Sequence, residues 1–168
     1  MAIVAAAVIA TGQAKAQHKS ALAVHKLDLA TSRAEISQTI AALANACAKA
    51  IAHVCDRLKD RDTIHNAAEG LYPTGIGEVK RLHEYLAAIP LHELPHFLVA
   101  DTLVFGSAVL QFRDKVEMAL RLHRQMDAGM FDDFFQTTSL LRGVARETAD
   151  KLLQQAKQLQ GVANEHAI

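Results

Sequence analysis

The sequence predicts an all-α protein: an antiparallel bundle of about four helices with an overlong N-terminal helix. Apolar residues recur at three- and four-residue spacings along most of the chain, and no alternating stretch reads as a strand. The few prolines and glycines, three and eight in 168 residues, gather at a small number of breaks. Between those breaks the chain is rich in alanine, leucine, glutamine, lysine and glutamate, which favour helix.

The first helix is the longest. Residues 14–60 contain neither proline nor glycine. Ile36, Ile40, Leu43, Cys47, Ile51, Val54 and Leu58 repeat every eleven residues, which keeps one apolar stripe on a nearly straight helix. Ala42, Ala46 and Ala50 form a second stripe that would let a neighbour approach closely. Residues 60–77 read as a break, punctured by Gly70, Pro73, Gly75 and Gly77. A short second helix is expected over residues 78–89, with Val79, Leu82, Leu86 and Ile89 inward.

Pro90 and Pro95 bracket a tight connection, and Pro95 suits the first turn of a third helix over residues 95–127. Its stripe runs Leu98, Thr102, Phe105, Val109, Phe112, Val116, Ala119, His123, Met126. Leu103 and Leu110 should widen this stripe into a core face. Gly106-Ser107-Ala108 offers a close crossing, and Gly129 reads as a helix stop. The fourth helix is expected over residues 131–161, with Phe134, Thr138, Leu141, Ala145, Thr148, Leu152 and Leu159 inward.

Helix lengths then divide the chain. At 1.5 Å per residue the third and fourth helices span roughly 45–50 Å, and a first helix over residues 2–60 would span about 90 Å. Its N-terminal half has no partner long enough to cover it. Residues 1–33 therefore read as an apolar and basic anchor or stalk, and residues 34–168 as the bundle domain. The first segment opens on an uncharged run, then carries Lys15, His18, Lys19, Lys26 and Arg33 against one acid, Asp28. Residues 34–168 reverse the balance, with 14 Lys and Arg against 17 Asp and Glu.

Apolar then basic is the order of a helix leaving a membrane on its cytoplasmic side. Ala2, Ala6, Ala10 and Ala14 form a small-residue stripe of the kind that packs membrane helices. The apolar run is shorter than the ~20 residues of a span. Ala14-Lys15-Ala16 also fits a signal-peptide cleavage site, although no Lys or Arg precedes the run. An alanine-rich start to a soluble helix is the third reading. On the anchor reading, Lys15, His18, Lys19, Lys26 and Arg33 would meet lipid headgroups.

The layout resembles that of small bacterial membrane-anchored helical proteins of unknown function. The resemblance rests on Gly12-Gln13-Ala14-Lys15-Ala16-Gln17 and on the stretch from Ile89-Pro90 to Phe112. It implies a place at the bacterial inner membrane with the bundle facing the cytoplasm, the alternatives being cytoplasm or periplasm. It carries no catalytic residues.

Formal net charge is zero and tryptophan is absent, so neither a basic footprint nor a stacking platform for nucleic acid is expected. Cys47 and Cys55 lie eight apart on one helical face, about 12 Å at helical rise, too far for a disulfide within the helix. His92-Glu93-Leu94-Pro95-His96 matches the zinc pattern H-E-x-x-H, but Pro95 pushes Leu94 out of helical geometry. A zinc site on His92 and His96 would need a third ligand, His83 or His123. Glu93 and His96 also match half of a di-iron site whose second half is missing. Asp101 is expected to be solvated. Ser107 and Ser139 lie in no nucleophile elbow, and no phosphate-binding loop is present.

The expectation is a non-enzymatic membrane-associated protein that self-associates or binds a protein partner. The alternatives are a histidine-rich metal-binding bundle and a structural coiled-coil oligomer.

Overall fold

The computed structural model describes the backbone of residues 2–165 and the side chains of residues 19, 21–22, 24–26 and 28–161. The described residues form five α-helices: α1 (Ala2–Arg57), α2 (Arg61–Ala68), α3 (Ile76–Ala87), α4 (His96–Leu122) and α5 (Ala128–Glu165). A single 3₁₀ turn, Leu91–Glu93, joins α3 to α4. No strand occurs among the described residues.

Cross-helix pairs fix the topology. Asp56 of α1 meets Arg142 of α5, while Gln38 and Asn45 share a surface with Gln160 and Leu153. The two helices therefore run antiparallel. Asp101 and Lys115 of α4 reach Gln155 and Asp133 of α5, again antiparallel. Lys80 of α3 pairs with Glu117 of α4, while Leu86 lies by Thr102, which sets α3 against α4. Thus α1, α3, α4 and α5 form the up-down-up-down bundle, and α2 packs against α4.

The core follows the expected stripes. Ile40, Cys47, Ile51, Val54 and Leu58 of α1 meet Phe105, Val109, Phe112 and Val116 of α4 in one apolar cluster. Phe134, Leu141, Ala145 and Leu152 complete it from α5. Two stripes differ from expectation. Ala42 and Ala46 are exposed, and the buried alanines of α1 are Ala34, Ala41, Ala44 and Ala50. The contact face follows the larger Ile and Val side chains and leaves the neighbouring alanine row outside. Leu103 and Leu110 are also exposed: they line the open α3–α4 groove beside His83 and Leu86 instead of the core.

The break over residues 60–77 contains α2, which the glycines and proline concealed. A capping box starts it: Asp60 Oδ1 accepts from Thr63 N at 2.8 Å, and Thr63 Oγ1 accepts from Asp60 N at 3.1 Å. A Schellman motif ends it, with Gly70 N donating to Ala67 O and Leu71 N to Asn66 O. Gly70 adopts φ 77°, the left-handed conformation this motif requires. Ile64 is fully buried and ties α2 to the core.

The expected stop at Gly129 also moves. α4 ends at Leu122, and Gly129 lies in the first turn of α5. Asp127 starts α5, its Oδ1 accepting from Met130 N at 2.8 Å. Satisfaction of the first orphan amides therefore sets this boundary more than the glycine does.

Candidate functional site

Helix α1 continues well beyond its partners. Every described side chain from Lys19 to Arg33 is exposed, and Ala34 is the first buried residue. Among the described side chains of this segment, Leu22 at 46%, Val24 at 59% and Leu29 at 44% exposure face water.

Helical geometry sorts these residues. At about 100° per residue, Lys19, Leu22, His25, Lys26, Leu29 and Arg33 fall within a sector of roughly 120°. The same sector holds Ile36 and Ile40, which pack against the bundle. Asp28 falls outside it. One face thus runs without a break from apolar core to a mixed apolar and basic surface. Lysine and arginine stems can lie along leucine while their heads reach an anionic layer.

Of the residues expected to bind lipid, Lys19, Lys26 and Arg33 are exposed and share this sector. Lys15 and His18, and the stripe Ala2, Ala6, Ala10 and Ala14, lie outside the residues whose side chains are described. Leu22 and Leu29 belong to the face and were missed by reading charge alone. Their signal was the seven-residue spacing of Leu22, Leu29 and Ile36 beside that of Lys19, Lys26 and Arg33. No helix among the described residues is long and apolar enough to cross a membrane.

The four histidines considered for zinc, His83, His92, His96 and His123, form no common site. His92 lies exposed in the 3₁₀ turn, with Glu93 Oε1 at 3.9 Å. Leu94 and Pro95 are extended, and His96 opens α4 with its ring edge-on to Phe97. The two histidines are therefore not successive rungs of one helix, which is the geometry the zinc motif uses. His83 faces Gly106 in the α3–α4 groove. His123 packs edge-on against His65 of α2 at 5.1 Å between ring centroids, and its Nδ1 lies 2.9 Å from Leu120 O. No group of three or more His, Cys, Asp or Glu able to hold a metal ion occurs among the described residues.

Cys47 and Cys55 are free thiols. Burial pushes Cys47 up to about 12, helped by the charge of Glu78. Burial pushes Cys55 up to about 11, against a lowering by the nearby Arg142. Neither is an activated nucleophile at neutral pH. Asp101 is half-buried and accepts from Gln155 Nε2 at 2.9 Å, so it joins α4 to α5 and is not simply solvated.

No protein-family model, no curated protein and no solved structure matches this chain.

Proposed function

We propose that this chain is a non-enzymatic, membrane-associated helical protein. The exposed basic face of α1 rests on an anionic lipid surface, and the bundle serves assembly or binding of a protein partner. The observation that carries this reading is the uncovered sector of α1, where Leu22 and Leu29 lie among Lys19, Lys26 and Arg33. A helix with that composition can lie in the interface, its leucines among acyl chains and its cations among headgroups. The cytoplasmic leaflet of a bacterial inner membrane is the surface proposed.

Each cation near an anionic leaflet contributes about 1 kcal/mol, so removing three should weaken binding by about two orders of magnitude. The test is cosedimentation with vesicles of phosphatidylserine and phosphatidylcholine. The wild type should pellet with them and release in high salt. The Lys19→Gln, Lys26→Gln, Arg33→Gln protein should stay in the supernatant. Equal binding by both proteins, or none by the wild type, ends the proposal.

A second reading rests on the spacing itself. Leu22, Leu29 and Ile36 recur every seven residues, as in a coiled-coil seam. A homo-oligomer through α1 would then form in water without lipid. Sedimentation equilibrium that shows a salt-insensitive dimer, dissociated by Leu22→Asp and Leu29→Asp, would favour it.

A further inference from the structure

Helices α1, α4 and α5 do not close completely where they pack together. A cavity of about 190 Å³ remains between them. Its lining is part apolar and part polar: Phe112, Val116 and Phe134 are buried, and Cys55 and Phe135 are half-buried. At the ~30 Å³ a water occupies in liquid, this volume corresponds to roughly six or seven small groups. A short alkyl chain fits that size.

The mouth has a different character. Lys59, Ser139 and Arg142 line the cavity and are exposed. Arg142 Nη1 donates to Asp56 Oδ1 at 2.9 Å, which holds the guanidinium at the opening. The same Arg142 lines a second depression of about 320 Å³, where Lys49 and Arg146 add two more cations. Four cations therefore face the opening and its extension, with Asp56 and Asp150 as the acids among them. An apolar pocket with a few convergent polar groups at one end is how small-molecule sites are built. A guanidinium offers paired donors that match a carboxylate or phosphate.

From this juxtaposition we infer that the α1–α4–α5 cavity binds a small amphiphile with an anionic head and a short alkyl tail. The tail lies on the half-buried Cys55 and Phe135, over the buried Phe112, Val116 and Phe134. The head meets Arg142 and Lys59, with Lys49 and Arg146 beyond for a larger headgroup. This site is separate from the exposed face of α1 and does not rest on the lipid-surface reading. Cys55 lines the same cavity, half-buried beside Arg142, and provides a reporter.

The experiment uses the full chain at about pH 9, where the raised Cys55 thiol forms enough thiolate to react, and follows its alkylation by iodoacetamide, read by mass spectrometry. Octanoate should slow the reaction saturably, with one molecule bound per chain by calorimetry. Octanol, which lacks the charge, and acetate, which lacks the tail, should protect weakly. In an Arg142→Gln, Lys59→Gln protein the affinity for octanoate should fall by about tenfold or more. Both positions are exposed, so circular dichroism and melting should match the wild type.

A parallel arm replaces octanoate with phosphatidylserine vesicles. Protection by octanoate alone assigns the site to a free carboxylate, and protection by both assigns it to acyl chains drawn from a bilayer as well. Absence of protection by octanoate, equal protection by octanol, or equal affinity of the Gln variant overturns the inference. Protection by vesicles alone also overturns it, since that would be surface burial rather than entry into the cavity.

Discussion

Ser37, Thr102, Thr138 and Thr148 place hydroxyls inside the helical core, and each bonds back to the carbonyl four residues earlier. A buried hydroxyl is tolerable only when bonded, and here the helix itself supplies the acceptor. Leu98 O would lose only a second donor if Thr102 became valine. Thr102→Val should therefore change stability by no more than about 1 kcal/mol. Phe105, fully buried at the α4 centre, is the opposite case. Phe105→Ala should cost about 3–5 kcal/mol, because the bundle cannot collapse fully around the missing ring. Urea denaturation of both proteins checks the contrast; comparable losses would mean that the hydroxyl of Thr102 has a role beyond self-satisfaction.

Charged pairs act at the same scale. The Lys115 hydrogen bond holds the Asp133 carboxyl below its usual range, and the Thr63 amide does the same for Asp60. Each group protonates more easily in the unfolded chain than in the folded one. Its stabilisation is present above the unfolded carboxylate range and is lost as pH falls through the depressed folded value. The melting temperature should decline as pH drops below about 4. Lys115→Met should flatten part of that decline, and an unchanged pH profile would remove Asp133 from the account.

At the scale of elements, the long periodic stripes were legible and the short capped pieces were not. Ile40, Ile51, Phe105 and Leu152 are buried as their spacing required, because three- and four-residue recurrence over many turns has one solution. Helix α2 has only eight residues, and its evidence lay in local hydrogen bonds. Asp60 and Thr63 form a box whose second member is Thr, where the usual signature has Glu or Gln. Gly129 misled for the same reason: a glycine next to a helix end was read without the Asp127 that starts the following helix. The basic stretch of α1 was legible as charge, but the inclusion of Leu22 and Leu29 required knowing where the partners stop. The cavity behind Arg142 joins residues of three helices and leaves no trace in linear spacing.

Two glycines of the same region separate these influences. Gly75 precedes α3 with φ 85°, and a Cβ there would meet His53 and Val54 at 3.6 Å. The space is adequate but the backbone is left-handed, so Gly75→Ala should cost about 1–2 kcal/mol. Gly77 lies inside α3 with open space around it. Gly77→Ala should stabilise by about 0.5–1 kcal/mol. Chemical denaturation should move the two midpoints in opposite directions. Two shifts of the same sign would show that packing, not backbone conformation, governs this junction.

For the whole molecule, the disproportion of α1 is the main structural fact. Its 56 residues extend about 84 Å at helical rise. A compact chain of this length would have a radius of gyration of about 15 Å. Among the described side chains the bundle supplies cover only from Ala34 onward, so Lys19–Arg33 are held straight by helix propensity and by continuity with a packed helix. Small-angle scattering in solution should give a maximum dimension of at least about 85 Å. A chain beginning at Ala34 should be far more compact while melting within a few degrees of the full protein, since every described side chain among those removed is exposed. A compact full-length particle would mean that α1 bends back onto the bundle. The basic face would then be occupied by the chain itself, and a lipid surface would have to displace it. An extended particle with an unaltered bundle leaves that face free, which is the condition on which binding to an anionic surface depends.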